Sequence, residues 1–341
     1  MGSVGVRTDK ASRTARLVFC IQKIEGTLMN RFERFSGYRG FSALLVAVAF
    51  LAGCGSEDEV LGGRGGSGGG GPGPAGAAPA LGVASGFAGL AGGGAGMTNQ
   101  GIFTVIQGAQ GQPVSIGTTA ASTTVTGFHD TSVPYLPPTP TASGCTYTET
   151  TLNIGDVKGT INTDAPPPTI ACPNEGTAAT KAIADQAALD ALAAFNDLAG
   201  RPGAIDPGAN LGGLTLAPGV YATASGSFLI TGSDLTLNAG GNPNAVWVFQ
   251  MANTLTVGAA GLPRSIILAG GAQPKNIFWQ VGSAATINAA GGGTMVGTII
   301  SSAATSFSTA GNATITTLNG RALALTASVT LVNTVINVPA P

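Results

Sequence analysis

Small hydroxyl side chains recur along the C-terminal third of the sequence at a spacing that could organise water. Short segments in which polar and aliphatic residues alternate begin at Asp234, Thr254, Ala284, Ser306 and Ser328. If these segments are β-strands, the aliphatic side chains point inward and the small polar ones outward. The central outward positions are Thr236, Thr256, Thr286, Ser308 and Thr330. Steps of about 20 to 30 residues fit the coils of a β-solenoid, which predicts a stacked row of hydroxyl and methyl groups.

The same region is too poor in charge for acid–base catalysis. Between Leu211 and Pro341, Asp234 is the single acidic residue and there is no histidine. Hydrolysis of a polysaccharide by a β-solenoid enzyme needs paired carboxylates or a positioned base. His129, the only histidine of the chain, has no nucleophile motif beside it, and we interpret it as an ordinary loop residue. We therefore expect no enzyme, no metal and no cofactor.

The N-terminal segment has the features of an export signal. Three arginines precede an apolar run at residues 41–51, which at about half the length of a membrane-spanning helix is too short to cross a bilayer. The run ends in Leu51-Ala-Gly-Cys54, which resembles a bacterial lipobox. We predict that residues 1–53 are a lipoprotein signal peptide, with Met29 as an alternative true start, and that Cys54 is lipidated. An uncleaved membrane anchor is the alternative.

Two further features suggest where the exported protein goes and how its domain begins. Gly55 and Ser56 follow the cysteine, which by resemblance to bacterial sorting rules favours anchoring in the outer membrane, facing the cell surface. Residues 54–80 are rich in glycine and proline, and we predict that they form a flexible tether. The folded domain is expected at residues 81–341.

Two cysteines remain after Cys54, and both lie in a segment unlike its surroundings. Cys145 and Cys172 are 27 positions apart in an exported protein, which predicts a disulfide, two free thiols being the alternative. The segment 128–176 is rich in proline and acidic residues. Because exposed ends of a solenoid must be blocked, we predict that this segment is a cap over one end.

One long helix is predicted beside the solenoid. Thr177 or Thr180 can cap a helix at residues 177–199, and Gly200-Arg-Pro-Gly203 ends it. Its apolar side is predicted to contain Ile183, Ala184, Ala187, Ala191, Ala194, Phe195 and Leu198. Residues 246–249, 266–268, 277–279 and 296–300 are continuous apolar runs, typical of parallel strands buried on both faces. We therefore expect the helix to cover one solenoid face and to leave the hydroxyl row open.

Several stretches together resemble the microbial ice-binding (antifreeze) protein family. They are Leu81–Ala91, Thr98–Gly101, Leu216–Tyr221, Asn244–Gln250, Gly271–Gln273, Asn276–Val281 and Asn319–Ala324. The resemblance implies a mainly β fold: an irregular right-handed parallel β-solenoid (β-helix) with one long α-helix packed alongside, to which this chain adds a disulfide-linked cap.

The resemblance also implies a function, adsorption of one flat, helix-free face to ice with inhibition of recrystallisation. That face would contain, besides Thr236, the residues Thr254, Thr256, Ala284, Thr286, Ser306, Ser308, Ser328 and Thr330. Serine stands where threonine would add a methyl group at three of these positions, so we expect weak to moderate thermal hysteresis.

A surface adhesin or polysaccharide-binding lipoprotein of the cell envelope is the alternative. Sugar binding uses exposed aromatic rings, yet Trp247 and Trp279 lie in the continuous apolar runs. A plainer reading is also open, since threonine favours exposed strands whatever their function. The net charge of −1 and the lack of a basic run argue against nucleic acid. The expected partners are ice and a lipid anchor in the membrane, with an extracellular polysaccharide under the alternative function, and we expect a monomer.

Overall fold

The computed structural model of the protein describes residues 75–130, 145–259 and 261–340. Within them the chain winds into a β-solenoid whose strands lie on three faces. The predicted signal peptide, Cys54 and the tether up to residue 74 lie outside the described residues. Among those described, there is no helix that combines the length and apolar character needed to cross a membrane.

One face, which we call the open face, is a sheet of six short parallel strands. In spatial order they are Phe228–Ile230, Leu255–Val257, Ala285–Ile287, Thr305–Phe307, Val329–Leu331 and Met97–Asn99. Each strand buries its first and last side chains in the core and turns the middle one outward. This alternation is the pattern that the sequence predicted.

The second face is covered by the helix. Its strands in spatial order are Gly219–Ala222, Trp247–Met251, Ile277–Val281, Thr294–Ser301, Thr316–Ala324, Phe87–Ala91, Ser115–Ala121 and Ile161–Asp164. Trp247 and Trp279 are fully buried. The ring of Phe249 stacks on that of Trp279 with centroids 4.0 Å apart. Strands buried on both sides explain three of the four continuous apolar runs. The run 266–268 was interpreted wrongly, because it lies outside this face and Ile267 is 46% exposed.

The third face combines two groups of strands. Thr215–Leu216, Leu235–Asn238 and Ile266–Ala269 form a separate three-stranded sheet. Thr294–Ser301 and Thr316–Ala324 turn a corner, and their first halves continue this face. They are followed by Thr334–Val338, Thr104–Gly108, Gly155–Val157, Phe128–Asp130 and Thr146–Tyr147.

The N-terminal coils stack on the C-terminal coil. Met97–Asn99 pairs with Val329–Leu331, and Gly89–Ala91 pairs with Ala322–Ala324. The strands nearest the two ends of the domain therefore lie in the middle of the stack, not at its ends. After the strand Ile161–Asp164 at one end of the stack, the helix returns the chain to the other end, where Ile205 bridges to Tyr221.

Helix α1, Ala178–Ala199, confirms the predicted helix closely. Thr177 caps it through a reciprocal pair of hydrogen bonds with Thr180. Its buried residues are Thr180, Ala184, Ala187, Ala191, Ala194 and Leu198. Of the residues predicted on its apolar side, Phe195 is partly buried and packs against the core cluster, whereas Ile183 is 45% exposed and was placed there wrongly. The alanine stripe lets the helix backbone lie close to the sheet, which leaves the bulkier Ile183 outside the contact.

Residues just before the predicted domain pack against this helix. Ala75 and Pro79 are buried, and the carbonyl oxygen of Ala75 accepts a hydrogen bond from the Arg201 guanidinium. The N–H of Val83 donates to the Asp190 carboxylate at 2.6 Å. The last residues of the predicted tether thus lie along the helix-covered face.

The predicted cap is partly a continuation of the solenoid. Gly155–Val157 pairs with Thr104–Ile106, and Ile161 pairs with Ile116. The disulfide between Cys145 and Cys172 is confirmed, with Cα atoms 5.7 Å apart. Residues 131–144 lie outside the described residues.

Corners of the solenoid require glycine where coils touch through their backbones, which gives a test of the stacking. A Cβ atom at Gly320 would overlap the carbonyl oxygen of Gly297 in the coil below. We expect Gly320→Ala to lower the free energy of unfolding by about 2 kcal/mol, because neither backbone can move aside. Urea unfolding measures this loss. Gly86→Ala is the control, since a Cβ there meets no atom within 4 Å, and an equal loss in both variants would contradict the packing described.

Candidate functional site: the row of hydroxyl residues on the open face

The outward side chains of the open face form a continuous row across the coils. Thr256 is the register partner of Thr286, Thr286 of Ser306, Ser306 of Thr330, and Thr330 of Thr98. A bridge to Thr126 extends the row by one more coil. We call these six residues the threonine row: Thr256, Thr286, Ser306, Thr330, Thr98 and Thr126. Paired strands set their spacing at about 4.8 Å.

The residues beneath the row make it flat and rigid. Leu255, Val257, Ile287, Phe307 and Leu331 are at most 1% exposed. The row therefore stands on a close-packed layer in which each strand is fixed by neighbours on both sides. Threonine adds stiffness of its own, because a β-branched side chain has few χ1 rotamers in a strand. The hydroxyl and methyl groups are thus held in place before any ligand arrives.

A second line of small residues runs beside the row. The N–H groups of Leu255, Ala285 and Thr305 donate to the carbonyl oxygens of Ala284, Ala304 and Ser328, respectively. These bonds place the residue that precedes each strand beside the corresponding residue of the neighbouring coil. The line contains the predicted residues Thr254, Ala284 and Ser328, together with Ala304 and Gly96. Small side chains here keep the surface around the row level.

Ser308 was assigned to the row wrongly. It lies at the corner after the strand Thr305–Phe307, is 7% exposed, and has a left-handed backbone with φ of 62°. Ser306 occupies the position in the row instead. The sequence Ser306-Phe-Ser-Thr309 alternates in either register, so its pattern alone could not distinguish the two serines. The burial of Thr305 and Phe307 on the core side decides the register.

Thr236 was also placed on the wrong face. It belongs to the three-stranded sheet of the third face, where it pairs with Ile267 and Thr215. The strand of its coil on the open face is Phe228–Ile230, whose outward residue Leu229 pairs with Thr256. The step of 20 residues from Thr236 to Thr256 runs from one face to another and so does not measure a full coil.

Thr98 and Thr126 were missed as members of the row. Their local sequences, Met97-Thr-Asn99 and Val125-Thr-Gly127, do place threonine after an apolar residue. Nothing local reveals that these N-terminal coils continue the stack beyond the C-terminal coil. Thr98 and Thr330 are neighbours only because their strands, which are more than two hundred residues apart in sequence, pair with each other.

The site contains no group suited to catalysis, within the residues that the structure describes. The six strands of the open face have no charged residue. Carboxylates that lie close together are found at the cap, where Asp130 is fully buried and Glu175 is 6% exposed. Burial, followed by the hydrogen bond with Asp130, raises the pKa of Glu175 to about 8. A substrate cannot reach this pair.

His129 is held by its neighbours and is not free to act as a base. Its Nδ1 lies 2.7 Å from Glu149, and its Nε2 lies 3.8 Å from Asp156. Burial lowers the pKa of His129, but the hydrogen bond and the charges of the two carboxylates outweigh burial, so its pKa is raised. The interpretation of His129 as an ordinary loop residue was wrong, because it lies buried in the strand Phe128–Asp130 and pairs with two carboxylates.

Within the described ranges, one set of three side chains lies close enough together to be considered as a metal site. Asp130, Cys145 and Glu175 offer ligand atoms within 4.8 Å of one another. The sulfur of Cys145 is bonded to Cys172, which removes the thiolate. The remaining carboxyl groups share a hydrogen bond that requires a proton, so this group does not suit a cation.

The fold and the row define a class of protein: a β-solenoid braced by one helix, with an uncharged hydroxyl row on its uncovered face. Residues 91–337 match the ice-binding-like family model, and the chain belongs to that family. The family is one of ice-binding proteins and not of enzymes.

Individual relatives agree with this assignment. An ice-binding protein of Nostoc sp. (strain HG1) is 38% identical over 195 residues, which cover 55% of this chain and 66%, just under two thirds, of that relative. The crystal structure of an ice-binding protein from an Antarctic biological consortium is similar with a TM-score of 0.53 and 30% identity, covering 75% of this chain and 90% of the other. The ice-binding protein of an Arctic yeast has a TM-score of 0.56 and 26% identity, covering 77% and 95%.

The corrected position of Ser308 gives a stability test. Gly258 and Asn288 occupy the same corner in the neighbouring coils, with φ of 80° and 45°. Because asparagine tolerates the left-handed region better than serine, Ser308→Asn should raise the free energy of unfolding by about 1 kcal/mol. Thermal and urea unfolding measure this gain. Ser306→Asn, in an extended strand, should give none, and a gain at Ser306 instead would reverse the register assigned here.

Proposed function

We propose that the protein binds ice by adsorption of the open face, with the threonine row at the centre of the contact. The observation that carries this proposal is the row itself: six in-register hydroxyl residues on a flat, helix-free sheet without charge. Membership of the ice-binding-like family supports it. Inhibition of recrystallisation follows when bound protein blocks the exchange of water at the crystal surface.

The proposed mechanism follows from the chemistry of threonine. Hydroxyl groups at a regular spacing hydrogen-bond to water, while the methyl groups between them restrict the orientations that this water can take. A charged residue would orient water around itself, and a mobile side chain would lose entropy on binding. The rigid, neutral row has neither disadvantage and can hold water in an arrangement close to that of the crystal.

The row is richer in methyl groups than the sequence pattern indicated. Of the three serines thought to weaken it, Ser308 is at a corner and Ser328 lies in the flanking line. Ser306 alone interrupts the run of threonines. At one end Leu229 replaces the hydroxyl residue, so the proposed contact is strongest over the coils from Thr256 to Thr126.

Two variants with the same chemistry on different faces test the site. Thr286→Tyr should raise the concentration needed for ice recrystallisation inhibition by about tenfold or more, because the ring breaks the flat contact. Thr236→Tyr introduces the same ring on the third face and should leave the activity unchanged. Both variants should keep the melting temperature of the parent within a few degrees. Equal activity in the two variants would move the site off the open face.

We further propose that the protein acts outside the cell, anchored by a lipid on Cys54. The lipobox-like sequence Leu51-Ala-Gly-Cys54 supports this, and the disulfide Cys145–Cys172 fits an oxidising compartment. An outer-membrane position facing the cell surface would let an anchored open face attach the cell to ice. The burial of Trp247 and Trp279 favours this role over a polysaccharide-binding adhesin, which would need exposed rings.

Metabolic labelling tests the anchor. Cys54→Ser should abolish incorporation of labelled palmitate and release the protein from the membrane fraction, because the acylated thiol is gone. Cys20→Ser is the matched control and should leave the labelling intact, since it lies within the predicted signal peptide. Labelling that persists in Cys54→Ser would exclude this lipid anchor.

A further inference from the structure

The strand Phe128–Asp130 at the cap carries two buried ionisable residues on opposite sides. Asp130 points to the core, where its Oδ1 accepts a hydrogen bond from the N–H of Cys145 at 3.1 Å. His129 is the next residue along an extended strand and so points the other way. The same short strand therefore connects two clusters of titratable groups, and neither cluster takes part in the proposed contact with ice.

The inner cluster contains two carboxyl groups that share a hydrogen bond. Glu175 bonds to Asp130, and the hydroxyl of Tyr147 donates its single proton to Glu175 Oε2 at 2.6 Å. The carbonyl oxygen of Ile161 lies 3.2 Å from the same hydroxyl. Thr163 also faces this cluster from the strand Ile161–Asp164. Two buried carboxylates in contact cannot both be ionised at low cost, so the pair retains one proton.

The outer cluster also favours a bound proton. Glu149 contacts His129 Nδ1 at 2.7 Å, Asp156 lies 3.8 Å from Nε2, and Lys158 pairs with Asp156. The two carboxylates stabilise the imidazolium, whereas Lys158 opposes it. With its proton, His129 ties the strand Phe128–Asp130 to the segment that carries Glu149 and to the strand Gly155–Val157.

We propose that these protons lock the cap: the proton that Glu175 holds against Asp130 and the proton on His129 hold the disulfide-linked segment closed, and their loss as the pH rises opens it. The lock adjoins the end of the threonine row. Thr126 exchanges backbone hydrogen bonds with Met97 and Asn99, and the N–H of the next residue, Gly127, donates to the Tyr147 carbonyl oxygen at 2.8 Å. Its effect on ice binding, and that effect alone, rests on the function proposed above.

The direction of the pH dependence follows for each group. Glu175 has a pKa of about 8 in the fold against an ordinary value of 4.5, so the folded state holds a proton that the open state has lost. Stability of the closed cap therefore falls as the pH rises from about 4.5 to about 8. His129 contributes fully below its ordinary pKa of 6.5, and that contribution is lost as the pH rises through its raised pKa. The two effects add.

Hydrogen exchange of the cap amides tests the lock on the whole domain. The amides of Gly127, Asp130 and Cys145 are bonded across the cap and report its opening. After correction for intrinsic rates, their protection should fall by about tenfold or more between pH 6 and pH 9, since each pKa unit of difference is worth about a tenfold change. Protection that is equal at both pH values would overturn the proposal.

Glu175→Gln is the decisive variant. The amide is isosteric, can still accept from Tyr147, and can donate to Asp130 without a titrating proton. Most of the pH dependence of cap protection should disappear in this variant, whereas Asp234→Asn, the control in the three-stranded-sheet region, should behave like the parent. A pH dependence that survives unchanged in Glu175→Gln would show that the carboxyl pair is not the lock.

A second measurement serves if Glu175→Gln does not fold. The carboxyl ¹³C shift of Glu175 in the parent protein should titrate with a midpoint near 8, and a midpoint near 4.5 would refute the lock. Recrystallisation inhibition at pH 6 and pH 9 then separates the two proposals. No activity at either pH contradicts the proposed function and leaves the exchange result standing.

Discussion

In-register stacking of parallel coils is the constraint on which the rest of this structure depends. Each coil places its strands directly on those of its neighbours, so one register decides what faces the core, the helix and solvent. The same stacking sets the ring of Phe249 on that of Trp279, brings Gly320 onto Gly297 at a corner, and aligns Thr286 with Ser306. A slip of one residue would exchange the buried and exposed side chains of an entire strand.

The helix makes the faces of the solenoid different from one another. Its alanine stripe packs closely on strands whose outer side chains, such as Val248, Phe278 and Leu323, are apolar. The open face has no such cover among the described residues, and its outer side chains are small and polar. The face under α1 therefore has apolar outer side chains, and the uncovered face has small polar ones. The position of the helix accounts for both.

The sequence predicts local features of this fold well and the alignment between coils less well. The helix, the disulfide and the doubly buried strands were found because each has a signal within a few residues: Thr177 as a cap, two cysteines, and continuous apolar runs. Thr256, Thr286 and Thr330 were found because alternation identifies outward positions. Ser308 and Thr236 were misplaced because alternation does not say where a coil turns or which face a strand joins.

Thr98 was missed for another reason. Its partner Thr330 is distant in sequence, and no pattern near either residue indicates that the first coils stack on the last. Only the hydrogen-bond register of the assembled stack contains that information.

The central position of the terminal strands bears on how the polypeptide can acquire this structure during synthesis. The strand Phe87–Ala91 emerges early, yet one of its two neighbouring strands, Thr316–Ala324, is among the last to be made. Until then the early coils have an unpaired edge that can pair with another chain. The stack becomes continuous only when the last coil pairs with the N-terminal coils. Most of the domain must therefore be synthesised before these long-range strand pairs can form. Such a topology favours slow folding after the whole domain has been synthesised over domain formation at the ribosome.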